Sequence, residues 1–171
     1  METIAAAGMT DNVIDLMTRK IRRLSVGAQH VLTLAACIGS PFEWRTLLTV
    51  SRQAEEAAAA SLAESIDAGL IQPAAGQHPA YAFLHDRVQQ AAYALIPQDE
   101  RPPVHLRIGR LLLGGAEGPP EDRLFEAVRH LNVGHERIDD EAERTRLARL
   151  NLRAGHKAKE SAAFQAALDY F

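Results

Sequence analysis

The sequence predicts a mainly α protein with one small β-hairpin. Three observations predict it. Apolar residues recur at three- and four-residue steps through most of the chain. Ser, Asp and Gly stand where those runs start and stop. Two short segments, Leu70-Ile71-Gln72 and Tyr81-Ala82-Phe83-Leu84, flank the loop PAAGQHP, Pro73 to Pro79, as the two arms of a hairpin.

The elements follow in order. Residues 1–10 read as a flexible lead. Asp11 or Asn12 opens a helix carrying Val13, Ile14, Met17, Ile21 and Leu24. Ser25 caps a second helix through Val31, Leu34, Ala35 and Ile38, ended by Gly39-Ser40-Pro41. A short helix follows over Trp44–Val50. Ser51 starts the next, where QAEEAAAASLAESIDAGL is rich in good helix formers and Gly69 is the stop. Three helices followed by a hairpin is the winged-helix order, and this domain is placed at 11–100. Beyond Pro97 the pattern is helical throughout: 98–114, with Val104, Ile108, Leu111 and Leu112; 121–133; and 139–160. GGAEGPP separates the first two. Residues 101–171 therefore read as stacked antiparallel helices. The last residues, AAFQAALDYF, reach the end without Gly, Pro or polar cap, as in a segment of a longer polypeptide.

Composition narrows the function. The chain has 171 residues, enough for an ordinary core, and 47% are apolar. With 19 basic and 22 acidic residues the net charge is −3, so no bias toward nucleic acid or anionic membrane exists. The lone Cys37, inside VLTLAACIG, excludes an internal disulfide and fits a reducing, cytoplasmic setting. No apolar run is long enough for a membrane span.

Catalytic signatures are missing. There is no phosphate-loop motif, no HExxH and no cysteine pair, so neither catalysis nor a metal site is expected. His130 and His135, five apart, fall on different helix faces and read as surface or structural. DNA binding is disfavoured. The helix in the recognition position carries Glu55, Glu56, Glu64 and Asp67, and no Lys or Arg occurs between Arg52 and Arg87.

The junction FLHDRVQQ draws more attention. Asp86 reads as the cap of a helix beginning near Arg87, and His85 ends the strand before it. An imidazole N–H at a helix N-terminus also suits a phosphate oxygen, because the helix dipole favours an anion there.

The blocks FLHDRVQQAAYALIP, HLRIGRLLL, LFEAVRHLN and RLARLNLRAGHKAKESAAFQAALDYF resemble one run of large bacterial signalling proteins. Those join a Ser/Thr-kinase-like domain, an AAA-type STAND ATPase, a helical repeat, GAF and PAS sensors and a histidine kinase of two-component systems. DNVIDLMTRKIRRLSVGAQHVLTLAACIGSPFEWRTLL is similar to the segment after their ATPase core. The resemblance spans about residues 11–171. It implies a winged helix followed by the first TPR-like helices, without catalytic activity of its own. AGHKAKESAAFQAALDYF has the small-residue and aromatic pattern of such repeats.

His85-Asp86 further resembles the His-Asp of the MHD motif in NB-ARC proteins, with Leu84 replacing Met. That resemblance implies that His85 contacts the β-phosphate of ADP held by an adjacent ATPase core, while Asp86 braces the helix. ATP or ADP would bind the parent protein, not this segment, which needs no cofactor of its own. The implied partners are that core and the downstream helical repeats, with no DNA and no membrane. Phe164, Leu168 and Phe171 are expected to expose an interaction surface, on which the C-terminal helices could form a homodimer. The alternatives are a protein–protein interaction scaffold without nucleotide contact and, less favoured, a winged-helix DNA-binding regulator.

Overall fold

The computed structural model describes residues 2–75, 79–114 and 121–160. Contacts divide the chain into two compact units, Met1–Pro97 and Gln98–Phe171.

The first unit contains α1 (Glu2–Ile21), α2 (Val26–Ile38), β1 (Phe42–Glu43), α3 (Trp44–Ser51), α4 (Glu55–Asp67), β2 (Ile71–Ala74), β3 (Ala80–Phe83) and α5 (Asp86–Ala94). The three strands form an antiparallel sheet in the order β1-β3-β2. The unit is mainly helical, and its hairpin β2–β3 takes β1 onto its outer edge. α2 is the central element and packs on α3, α4 and α5, while α1 packs on α5.

Local chemistry explains the boundaries. Ser25 caps α2: its Oγ accepts from the Ala28 N–H at 3.1 Å. Its own N–H and hydroxyl donate to the Glu64 carboxylate of α4 at 2.8 and 2.5 Å, which holds that carboxyl below its usual range. Gly69, with φ +65°, turns the chain out of α4 into β2, a conformation that a Cβ disfavours. The Leu84 N–H donates to the Leu70 carbonyl at 3.0 Å and extends the hairpin beyond its strands.

Two sequence expectations are corrected here, and one element is added. α1 begins at Glu2, so its helical run takes in residues read as a lead, and Asp11 and Asn12 lie inside it. ETIAAA contains good helix formers and no breaker. Ser51 does not open α4. It closes α3, where its hydroxyl donates to the Leu48 carbonyl at 2.9 Å and accepts from the Gln53 N–H at 3.3 Å. α4 starts at Glu55, with Ala54 at its cap position. β1 was not foreseen. Its Phe42 is buried, with ring centroids 6.2 Å from Tyr81 and 6.0 Å from Phe83.

The second unit contains α6 (Arg101–Leu112), α7 (Leu124–Val133) and α8 (Glu141–Glu160), with 3-10 turns at Glu121–Arg123 and His135–Arg137. α7 packs on both α6 and α8. The face of α6 that is buried carries His105, Leu106, Ile108, Gly109 and Leu112, whereas Leu111 is 37% exposed. Gly109 permits a close approach: a Cβ there would sit 2.7 Å from Leu131 Cγ of α7.

Candidate functional site

The junction between β3 and α5 is held from below. Phe83 is buried in the sheet's aromatic cluster, and Val88, Ala91 and Ala92 bury one face of α5. The Gln89 side-chain amide donates to the Ala36 carbonyl of α2 at 3.3 Å. Between these anchors Leu84, His85, Asp86 and Arg87 are all exposed.

His85 is extended, with φ −147° and ψ 148°, and takes the N-cap position of α5. Its carbonyl accepts from the Val88 N–H at 2.9 Å, and its imidazole makes no cap bond. Asp86 is therefore not the cap; it is the first helical residue. The chain passes directly from the extended backbone of His85 into α5, so the helix starts one residue earlier than the sequence pattern indicates. A carboxylate in the first turn still favours the helix through the dipole. Among the described residues neither the His85 imidazole nor the Asp86 carboxylate has a hydrogen-bond partner. Arg87 bonds Gln90 at 2.7 Å. The junction thus presents an imidazole, a carboxylate and a guanidinium in sequence, beside one apolar side chain, Leu84, at 40% exposure.

Phe164, Leu168 and Phe171 lie outside the described residues. Among the described residues no group of three His, Cys, Asp or Glu side chains is placed to hold a metal, and no helix is long and apolar enough to cross a membrane. α4 presents Glu55, Glu56 and Asp67 to solvent among exposed alanines.

A buried polar pair escaped the sequence. His105 of α6 and His130 of α7 approach Nδ1 to Nδ1 at 2.8 Å, and His130 is fully buried. A guanidinium only donates, and Arg129 Nη2 lies 3.3 Å from His130 Nε2. That contact makes His130 Nε2 the acceptor and puts its proton on Nδ1, which donates to His105 Nδ1. Burial pushes His105 down from 6.5 to about 4, with smaller contributions from the positive charges of Arg129 and Arg101. Twenty-five residues separate the two histidines, so no local spacing joins them. His135 is exposed, with Nδ1 2.7 Å from the Asn132 carbonyl.

Comparison with known proteins finds a distant similarity to part of a much longer protein. The chain is 30% identical, over 222 aligned positions, to hybrid signal transduction histidine kinase G of Dictyostelium discoideum. The match takes in all of this chain and 6% of that kinase. No protein-family profile matches the chain, and no solved structure does.

Proposed function

We propose that the chain is a non-catalytic regulatory module of a signal-transduction protein. In this reading the winged helix docks on a STAND-type ATPase core. The helices after it relay the nucleotide state to a helical repeat and a kinase. Similarity along the whole chain to a segment of a hybrid signal transduction histidine kinase supports the context. The observation that carries the mechanism is the exposed His85, whose imidazole has no partner among the described residues.

His85 offers one N–H to a phosphate oxygen at the positive end of α5. Asp86 opposes an anion at short range, and the neighbouring Arg87 offsets it. The sequence has no glycine-rich phosphate loop, so the ATPase core would supply most of the affinity for ADP. His85 would then act as a sensor: ADP favours the docked wing because only that state adds the imidazole contact, and its loss releases the wing. ATP and ADP are ligands of that core in this reading, and the cytoplasm is its setting.

The test uses a polypeptide extended to include the ATPase core. Labelled ADP is titrated into it and into its His85→Ala variant. The sensor requires a loss of about tenfold or more, equivalent to about 1.4 kcal/mol of contact. Equal affinities in two folded proteins would reject it and leave an interaction scaffold.

A further inference from the structure

α4 packs on α2, α3 and β2. Its outer face is unlike a nucleic-acid surface. Ala59, Leu62, Ala63 and Ile66 of α4 line a groove together with Trp44 and Tyr81. The groove has a volume of about 300 Å³, room for one or two large aliphatic side chains. Trp44 and Tyr81 are both half-buried. Neither the indole N–H nor the phenol hydroxyl has a hydrogen-bond partner among the described residues. Such rings, apolar in body and with unused polar ends, are typical anchors of protein interfaces.

The one charged residue that lines the groove, Glu55, is acidic. Glu56 and Asp67 stand exposed on the same helix, and the stretch from Gln53 to Asp86 holds no Lys or Arg. An acidic partner would be repelled. The alanines let a partner backbone come close, and an aliphatic side chain entering the groove would be dehydrated there. Together these features point to a helix with leucine-like residues at three- and four-residue spacing and a Lys/Arg-rich margin.

We propose that the groove lined by α4, Trp44 and Tyr81 docks a basic amphipathic helix.

Trp44 is the only tryptophan of the chain, so its fluorescence reports occupancy directly. The probe is a peptide of about 18 residues, five helical turns, with leucines at helical spacing, lysines elsewhere and no tryptophan. It is titrated into the full chain. The expected result is a saturable blue shift of Trp44 emission. The decisive variant is Ala63→Glu, at an exposed helical position. It obstructs the groove while making the surface more acidic. Docking predicts at least tenfold weaker binding, whereas attraction by charge alone predicts tighter binding. A control peptide with glutamate in place of lysine should leave Trp44 unchanged. No Trp44 shift with the lysine peptide, or undiminished affinity in folded Ala63→Glu, overturns the proposal.

Discussion

Ile21, Val31, Leu32, Leu47 and Ile71 close the core of the first unit with aliphatic carbon, whereas α6 and α7 of the second meet through two imidazoles 2.8 Å apart. Buried polar groups occur in the first unit too, but they are hydroxyls, and those of α4 bond within their own helix. Ser61 donates to the Ala57 carbonyl and Ser65 to the Ser61 carbonyl, each at 2.8 Å. Such groups do not titrate near neutrality and ask nothing of a neighbouring element. The histidine pair does both: it joins two helices, and its desolvation cost depends on pH. The difference separates a unit whose packing should ignore mild acid from one whose packing should feel it.

The largest effect is expected in the aliphatic core. Leu32 is fully buried on α2, the helix against which α3, α4 and α5 all pack. Leu32→Ala removes its transfer energy and leaves a cavity, at a cost of about 2–5 kcal/mol. Denaturant unfolding followed by Trp44 fluorescence measures it. A loss below about 1 kcal/mol would mean that α2 does not centre this unit.

Acid sharpens the contrast. The unfolded value for histidine is near 6.5, and His105 in the folded chain is near 4. Between those values the unfolded state binds more protons, so stability is fully present above pH 6.5 and is lost as pH falls toward 4. The loss approaches about 3 kcal/mol when the whole shift is realised, at roughly 1.4 kcal/mol per unit. Hydrogen exchange should therefore accelerate in α6 and α7 between pH 6.5 and 4.5, after correction for the intrinsic rate, while α2 stays protected. Replacing both His105 and His130 by Leu should abolish that window. An unchanged acid response in the double variant would mean that other groups set it.

How much of this was legible follows from the range over which each signal acts. The cap at Ser25 and the stop at Gly69 depend on a few adjacent residues, and both were read correctly. β1 has only two residues, too few for any alternation, and exists because Phe42 finds Tyr81 and Phe83 across the sheet. The junction residues were legible as a pair, but not their register: the sequence made Asp86 the cap, and the extended backbone of His85 gives that place to the histidine. The His105–His130 contact was invisible, because a buried imidazole looks in sequence like any polar residue on a helix. Its one trace was the phase of α6, whose buried stripe runs through His105 and Gly109 rather than Val104 and Leu111.

The smallest effect tests whether acid acts through the histidines or through surface carboxylates. Arg110 of α6 grips Glu143 of α8 with Nε and Nη2, each 2.7 Å from a carboxylate oxygen. That bond lowers the Glu143 carboxyl below its usual 4.5 and raises the Arg110 guanidinium. The arginine side chain is half exposed, so water and salt screen the pair. Glu143→Gln should cost about 0.5–1 kcal/mol at low salt, the upper part of the range for surface pairs because the grip is bidentate, and less at high salt. Its pH window is also different. A carboxylate held below 4.5 keeps its contribution above that pH and loses it only as the solution becomes more acidic. From pH 6.5 to 5, Glu143→Gln should therefore run parallel to the unmodified protein, offset by its constant cost, while the double histidine variant runs flat. If Glu143→Gln flattens that interval instead, the acid sensitivity of the second unit belongs to its surface, and its core is no more pH-dependent than the aliphatic core of the first.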